Sequence, residues 1–447
     1  MHDWLPEMLW AALLIAGLPR RDALDTFRRV ADYVSQFPDE DFIYDVTHTG
    51  LSKMDTEISR PLLRTIAATD SHRAVLSPLL LLQRLPARDR WLEILDEHVS
   101  DADWRRLMAA VALTLDHQSH ESTDCRWVRV MCMLSTGKLA MPSEFVKEIA
   151  YYPDYGDMRK VRPTIRATEM AFRNLEKEER EWANEFWAQC LSDTPCFPLK
   201  FSGPATLPEV GTTTDRVQEV YTQLVEHNRQ TRTTSGIDPR HDTVFGIGLY
   251  CLSILKELLR IGASQSIAAR MALRAIVECL ISLAYLAHEE DPELWKSYRA
   301  FGSGQAKLAY LKLEEMDEEV SFVDIETLER LANEDVWEEA LPIELGHWGK
   351  LDARKLSEVA GVKDEYDRFY GWTSTFAHGH WGAIRDTVYD TCGNPLHRLH
   401  RIPRESARTL PDVLPDACRC VDKVLELVSN CYPKFPYRVA VKSIDVT

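Results

Sequence analysis

One segment constrains the fold more than any other: residues 267–287, with the sequence IAARMALRAIVECLISLAYLA. Nearly every residue in it is apolar or small, and the exceptions are Arg270, Arg274, Glu278, Ser282 and Tyr285. Their spacing of three or four residues places all five on one face of a helix. A helix that is apolar on its other faces must be buried, so we expect this polar stripe to face the protein interior or a cleft.

Buried charges need partners, and a second stripe near the end of the chain supplies candidates. Tyr370, Ser374 and His378 recur every four residues in YGWTSTFAHGHWGAIRD, so they share a face if the helix continues through His378. We expect this face to meet the first stripe. A histidine there would serve as a general acid or base, because its side chain titrates near neutral pH. A hydrogen-bonded core histidine is the alternative.

The first stripe also has two interpretations. In the functional one, Arg270 or Arg274 holds a phosphate or carboxylate and Glu278 orients the arginine. In the structural one, Arg274 and Glu278 form an ion pair within one helix, which their spacing of four residues permits. Ser374 as a nucleophile activated by His378 is a further option, although two groups on one helix rarely have that geometry.

The remainder of the chain is also predicted to be helical. Short amphipathic or apolar helices with brief breaks are typical of an irregular, solenoid-like helical array. Residues 194–214 are rich in proline, glycine and threonine, which indicates a linker. We therefore expect an all-α protein with an N-terminal helical array over residues 1–193 and a C-terminal helical bundle over residues 215–447. Residues 437–444 alternate and are a candidate for a short terminal strand.

Charge and cysteine content limit the classes of function. The net charge of −17 means that the surface as a whole repels nucleic acid, so an RNA site would have to be a local basic cleft. The ten cysteines include no C-x-x-C pair, which indicates reduced thiols in a cytoplasmic protein rather than a disulfide framework or a zinc site. The apolar residues 10–17 are too few to span a bilayer and lack a basic leader, so we expect no export and no membrane insertion.

Two features suggest protein partners. Residues 314–367 are strongly acidic, as in EEMDEE and NEDVWEE, and form either a solvated helical face or a docking surface for a basic protein. The apolar segments 242–261 and 267–287 exceed what one bundle covers easily, so we expect a homodimer.

Basic and histidine residues around the second stripe are candidate ligands of RNA or metal. Arg385, Arg398 and Arg401 would form a phosphate-binding rim, with a solvated loop as the alternative. His378 and His380 point about 200° apart on a helix, so they share a metal only in an extended segment. Other histidines could add ligands, namely His347, His397 and His400. Because no carboxylate or cysteine has a recognised ligand spacing, we expect neither metal nor cofactor.

The two stripes in this order carry a resemblance. RMALRAIVECLISLAYL, followed about ninety residues later by Y-x-x-x-S-x-x-x-H, resembles the bacterial domain-of-unknown-function family numbered fifty-six seventy-seven, over roughly residues 215–430. More distantly the pattern resembles HEPN helical bundles, many of which are metal-independent ribonucleases of toxin and antiphage systems that act as dimers. The chain departs from their R-x(4–6)-H motif, since Arg368 is too far before His378 and Arg385 follows it.

The HEPN resemblance implies an RNA endonuclease acting as a toxin or in antiphage defence. In it, His378 would assist attack by the 2′-hydroxyl, while Arg274 and Arg270 stabilise the developing charge. Glu278 would hold the arginine in place. The predicted catalytic set also includes Tyr370 and Ser374, and the predicted substrate-binding set is His380, Arg385, Arg398 and Arg401. Two alternatives stay open: a non-catalytic sensor or scaffold that binds an anionic ligand or a protein, and a metal-dependent hydrolase that uses the two histidines.

Overall fold

The computed structural model describes residues 4–95, 98–153, 158–175, 181–199, 210–316, 321–332 and 348–442. Most of them are helical, which confirms the all-α class. The chain forms two compact units, the N-terminal unit of residues 1–200 with 390–402 and the C-terminal unit of residues 201–389 with 403–447. The sequence assigns residues 390–402 to the C-terminal domain, whereas the structure places them in the N-terminal unit. Of the predicted linker, residues 200–209 lie outside the described residues.

The N-terminal unit is built on an apolar first helix. Its described helices are α1 (Leu9–Gly17), α2 (Arg20–Val34), α3 (His48–Lys53), α4 (Thr56–Ile66), α5 (Asp70–Leu76), α6 (Arg88–Leu92), α7 (Asp101–Leu115), α8 (His120–Ser135), α9 (Ser143–Tyr151), α10 (Met158–Leu175) and α11 (Glu181–Asp193). Helix α1 is apolar on all sides and therefore buried. It packs against α5, α7 and α8, so the array closes around α1 through contacts between helices far apart in sequence.

Two arginines of α8 carry charge into this core. Arg129 is fully buried, and its Nη1 donates to Oε1 of the equally buried Glu169 at 3.1 Å. Arg129 Nε lies 3.8 Å from Oδ1 of Asp45, and Arg126 Nε lies 3.7 Å from Oε2 of Glu169. Because an isolated buried charge is very unfavourable, these pairs hold α8 against α10 in one arrangement.

The C-terminal unit contains the long helices predicted from the sequence. Its described helices are α12 (Thr214–Thr231), α13 (Pro239–Arg260), α14 (Ile267–Glu289), α15 (Pro292–Glu314), α16 (Ile325–Ala332), α17 (Ala353–Val359), α18 (Lys363–Glu365), α19 (Gly371–Ala377), α20 (Trp381–Val388) and α21 (Leu414–Cys431). A π-helical turn, Tyr366–Tyr370, joins α18 to α19. Helix α14 packs against α13, α17, α19, α21 and this turn.

Local chemistry explains where α14 begins and ends. Ser266 is extended, and its side chain accepts a hydrogen bond from the Ala269 amide at 3.2 Å, which satisfies a free amide of the first turn. The helix runs to Glu289, slightly beyond the predicted end, and Glu290 then adopts a left-handed conformation with φ of 51°. Most of its apolar residues are buried as the sequence predicts, whereas Met271 is exposed.

Short strands complete the fold. The strands β1 (Pro198–Leu199), β3 (Tyr389–Cys392) and β4 (Arg401–Pro403) form a sheet in the order β1-β3-β4, and β2 (Val210–Gly211) pairs antiparallel with β5 (Val441–Lys442). Strand β5 lies within the predicted terminal strand, whose residues 443–444 lie outside the described residues. None of the described helices combines the length and the apolar character needed to cross a membrane.

Candidate functional site

The structure brings Arg274 of the first stripe into contact with Tyr370 of the second. Arg274 Nη2 donates hydrogen bonds to Tyr370 Oη and to Glu278 Oε1, each at 2.9 Å. The guanidinium carbon lies 4.2 Å from the centre of the Tyr370 ring, which adds a cation–π interaction. We call Arg274, Glu278 and Tyr370 the arginine cluster.

The arginine cluster is only partly enclosed. The Arg274 side chain is 13% exposed, whereas that of Glu278 is 47% exposed. Arg274 Nη1 is buried and has no hydrogen-bond partner among the described residues. Burial raises the pKa of Tyr370 above its usual value, although Arg274 acts in the opposite direction, so the phenol stays protonated at neutral pH. The cluster therefore presents an ion pair, a neutral phenol and an unused guanidinium donor.

Tyr370 owes its position to the π-helical turn that it ends. Its ring stacks on that of Tyr366, with centroids 4.6 Å apart and an angle of 22° between the planes. π-Helical turns are rare and are found frequently at functional sites. The turn and the stacked ring together fix the phenol against Arg274.

Arg270, the first residue of the stripe, has a structural environment. It is buried, and its guanidinium donates to the carbonyl oxygens of Ser264, at 3.4 Å, and of Pro411. Desolvation by burial lowers its pKa from the usual arginine value. Arg270 therefore anchors the loop before α21 to the start of α14, and it makes no hydrogen bond to the arginine cluster among the described residues.

His378 and His380 lie at the turn between α19 and α20. Helix α19 ends at Ala377, so His378 lies just beyond the regular helix, and its amide donates to the carbonyl of Ser374 at 3.1 Å. Both histidine side chains are exposed, and their rings stack with centroids 5.7 Å apart. Among the described residues, neither histidine ring forms a hydrogen bond with Arg274, and the Ser374 hydroxyl forms none with His378. Among the described residues, no hydrogen bond therefore links the two histidine side chains to Arg274.

The three predicted phosphate-binding arginines do not share one unit. Arg385 is exposed on α20 of the C-terminal unit. Arg398 and Arg401 belong to the N-terminal unit. There the Arg398 guanidinium lies 5.3 Å from the centre of the Trp187 ring, and Arg401 donates to the Thr391 hydroxyl.

A large cavity in the C-terminal unit extends from the arginine cluster. Its volume is about 1060 Å³. Glu278, Ser282 and Tyr370 line it, so it uses residues from both predicted stripes. Much of the remaining described wall is aromatic or apolar, including Tyr250, Tyr298, Phe301, Ile247, Leu356 and Trp348. Such a concave, mainly apolar space with a few polar groups is typical of a small-molecule site.

Several polar residues of the cavity wall are not among the site residues predicted from the sequence. Asp242 accepts a hydrogen bond from Arg299 Nη1 at 2.5 Å, and both residues line the cavity. The Thr243 hydroxyl is buried and has no hydrogen-bond partner among the described residues. Burial raises the pKa of Tyr298 to about 12, so its hydroxyl stays a donor. No local motif marks these residues, because the cavity is formed by helices that meet only in the folded chain.

The sequence predicts two partner surfaces, the acidic stretch 314–367 and the apolar helices α13 and α14. Of the acidic stretch 314–367, residues 317–320 and 333–347 lie outside the described residues. Within the rest, Glu358 pairs with Arg354 at 3.2 Å, and Asp367 pairs with Lys363. Exposed apolar side chains on α13 and α14 include Tyr250 and Met271. A protein partner on the acidic stretch and a homodimer through these helices both stay predictions.

Part of the C-terminal unit resembles a known protein family. Residues 252–393 match the family of unknown function (DUF5677). The predicted resemblance is confirmed over these residues, a shorter span than the expected 215–430. No curated protein and no solved structure matches the chain. The resemblance to HEPN bundles stays a prediction.

The DUF5677 match contains the arginine cluster and the exposed histidines. It begins within α13 and ends just after β3, so it includes all of α14, the π-helical turn and α19. Part of the cavity wall lies before the DUF5677 match, since Asp242 and Thr243 precede residue 252. The cavity therefore combines DUF5677 residues with residues of the preceding half-helix.

Proposed function

We propose that the C-terminal unit is a ligand-binding sensor module whose large cavity takes a small organic molecule. The single observation that carries this proposal is the cavity of about 1060 Å³ that borders the arginine cluster. Ligand sites typically enclose about 300–1000 Å³ and place a few polar groups on an apolar wall. The arginine cluster supplies such polar groups at one part of the wall.

The charges of the wall indicate what kind of molecule fits. Its described lining includes the carboxylates of Asp242, Glu278 and Asp352 and the guanidinium of Arg299. An excess of carboxylate disfavours an anion, and aromatic walls favour flat or cationic groups. The sequence-based alternative assumes an anionic ligand, whereas this wall favours a neutral or basic molecule with an aromatic body.

Gly246 offers a clean test. It lies on α13, lines the cavity, and a Cβ added there meets nothing within 4 Å. Gly246→Trp should fill the cavity, while Gly246→Ala should leave it open. The alanine variant should also stabilise α13 by up to about 1 kcal/mol, because glycine is a poor helix former.

The measurement has two parts. Native mass spectrometry of the purified chain tests for a co-purified molecule, and thermal shift assays test a panel of nucleosides, aromatic amines and aromatic carboxylates of matched size. We expect a basic or neutral aromatic compound to bind the wild-type chain and Gly246→Ala equally. Gly246→Trp should weaken binding at least about 100-fold, or about 3 kcal/mol. Equal binding by both variants, or binding by carboxylates alone, contradicts the proposal.

A ribonuclease is the second candidate, and the exposed histidine pair favours it. Trp381 directly follows His380, and the Trp372 ring lies against Gly382; these two tryptophans are 59% and 54% exposed. Exposed aromatic rings bind nucleobases by stacking, and a histidine can move the proton of a 2′-hydroxyl. A role as a toxin or in antiphage defence would depend on such cleavage.

The ribonuclease candidate is tested by RNA cleavage in the presence of a chelator. His378→Ala should abolish cleavage without lowering the unfolding temperature, because its side chain is exposed. Arg274→Ala should also reduce cleavage if the arginine cluster takes part in the reaction. Cleavage that persists in His378→Ala would remove this candidate. Light scattering on the same samples would show whether the active species is a homodimer.

A further inference from the structure

Two cysteines and two histidines converge in the N-terminal unit, away from the cavity. The ligand-type atoms of Cys196, Cys392, His397 and His400 all lie within 4.8 Å of one another. Cys196 lies just before β1, and Cys392 ends β3. His397 ends a short 3₁₀ helix, Pro395–His397, and His400 immediately precedes β4. Antiparallel pairing of Pro198 with Cys392 brings the two distant segments together.

The distances within this group fit a tetrahedral metal site. Cys196 Sγ lies 3.6 Å from His397 Nδ1 and 3.4 Å from His400 Nε2, and Cys392 Sγ lies 3.3 Å from the same Nδ1. Zinc bonds of about 2.3 Å to sulfur and about 2.0–2.1 Å to nitrogen imply ligand-to-ligand distances of about 3.3–3.8 Å in a tetrahedron. The three observed distances lie within this interval, so a zinc ion would need little rearrangement.

Hydrogen bonds fix which nitrogen of His397 faces the sulfurs. Thr194 Oγ1 donates to the carbonyl of Cys190 at 2.7 Å, so its only proton is used there. It lies 2.9 Å from His397 Nε2 and must therefore accept the proton of that nitrogen. Nδ1 consequently carries the free lone pair and points at both thiols. A ligating histidine that donates its other N–H to a second partner is the usual arrangement in metal sites.

The backbone also shapes this group, at Cys392 and at the turn between His397 and His400. The Phe197 amide donates to Cys392 Sγ at 3.4 Å, a bond that stabilises a thiolate. Arg398 and Leu399 both adopt left-handed conformations, with φ of 51° and 56°, and thereby bring the His397 and His400 rings into a stack 5.0 Å apart. Consecutive left-handed residues other than glycine cost about 1–2 kcal/mol each, and such strain is typically kept where a site needs it.

We propose that Cys196, Cys392, His397 and His400 bind one zinc ion in a Cys₂His₂ site. Thiolate and imidazole together are a preferred ligand set of zinc, and four protein ligands make the site structural rather than catalytic. The ion ties residues 194–199 to residues 390–402 within the N-terminal unit. His397 and His400 also line a cavity of about 290 Å³, which gives the ion an entry path.

The test is the metal content of the full chain purified without chelator, measured by elemental mass spectrometry. We expect roughly one zinc per wild-type chain and a loss of most of it in Cys196→Ser and in His400→Gln. Cys196 is exposed and His400 half-buried, so neither substitution removes core packing. Cys431→Ser and His380→Gln, in the C-terminal unit, are matched controls and should keep the zinc.

Cobalt substitution gives an independent readout. The cobalt-loaded wild-type chain should show a thiolate-to-metal charge-transfer band that Cys196→Ser weakens. Thr194→Val removes the acceptor of the His397 N–H while keeping the side-chain shape, and it should lower zinc affinity by about 10–100-fold in competition with a chromophoric chelator. Circular dichroism of each variant checks that it is folded.

Three results would overturn the proposal. The first is a wild-type chain without stoichiometric metal after expression in zinc-supplemented medium. The second is full zinc retention in both Cys196→Ser and His400→Gln. The third is a disulfide between Cys196 and Cys392 in the unreduced chain, detected by peptide mapping, because a disulfide would remove both thiolate ligands.

Discussion

Each unit contains an arginine–glutamate pair, and the two pairs differ in how the fold encloses them. In the N-terminal unit, the side chains of Arg129 and Glu169 are both fully buried. In the C-terminal unit, Arg274 is largely buried, but its partner Glu278 is 47% exposed and lines the large cavity. The same chemical pair is thus enclosed in one unit and open on one side in the other.

The comparison indicates which pair is available for function. A fully enclosed pair has no access for a ligand, and its role is to specify how α8 and α10 pack. A pair beside a cavity can exchange part of its hydrogen bonding with a bound molecule. Two members of the arginine cluster, Glu278 and Tyr370, line the cavity and can contact such a molecule directly. The two pairs contain the same residue types, so their different roles follow from how far the fold encloses them.

Replacing the glutamate of each pair by alanine should give the largest difference in the free energy of unfolding. Glu169→Ala leaves buried arginine charge without its main partner and should lower the free energy of unfolding by about 3–5 kcal/mol. Glu278→Ala should change it by about 1 kcal/mol or less, because a partly exposed pair contributes little. Urea denaturation followed by circular dichroism measures both. Equal effects of the two substitutions would contradict the proposed difference in enclosure.

The two units also differ in the burial of a histidine, which affects how stability responds to acid. His48 is fully buried between Trp91 and Trp182, and neither ring nitrogen has a hydrogen-bond partner among the described residues. Desolvation lowers its pKa to about 3, below the usual 6.5. As pH falls, the unfolded chain therefore takes up the proton first. The stabilisation from neutral His48 is complete above pH 6.5 and is lost progressively as the pH falls towards 3. The loss in the free energy of unfolding is about 3 kcal/mol by pH 4.

His48→Phe should remove this part of the acid sensitivity. The ratio of unfolding free energies at pH 7 and pH 4 should move towards one, as measured by urea denaturation at both values. His378→Phe is the matched control, because His378 is exposed and its substitution should leave the acid response as in the wild type. An unchanged acid response in His48→Phe would show that other groups dominate.

The smallest expected effect tests the contact inside the arginine cluster. Tyr370→Phe removes the hydroxyl that accepts from Arg274 Nη2 at 2.9 Å but keeps the ring beneath the guanidinium. We expect a loss of about 0.5–1.5 kcal/mol in the free energy of unfolding. Tyr370→Leu removes the cation–π interaction as well and should lose more. A phenylalanine variant as unstable as the leucine variant would mean that the hydroxyl carries the whole contact.

The helical fold was largely predictable, since hydrophobic periodicity depends on nearby residues. The segment 267–287 is helical as predicted, and Arg274 and Glu278 pair at the spacing that permits it. The candidate site was predictable only in part. Tyr370 meets Arg274, but His378 falls beyond the end of α19, because helix ends depend on a few local interactions that a repeat of four does not encode.

The sequence by itself determined the all-α class, the burial of α14 and the residues that form its polar stripe. Apolar patterning acts within a few turns of one helix, so it can be read from the chain. Only the tertiary structure decided that Arg270 is anchored to the Pro411 carbonyl while Arg274 contacts Tyr370, which lines a cavity. It also decided that Cys196 lies beside His400, 204 residues further along the chain. Such neighbours are set by the packing of the whole unit, which no local pattern specifies.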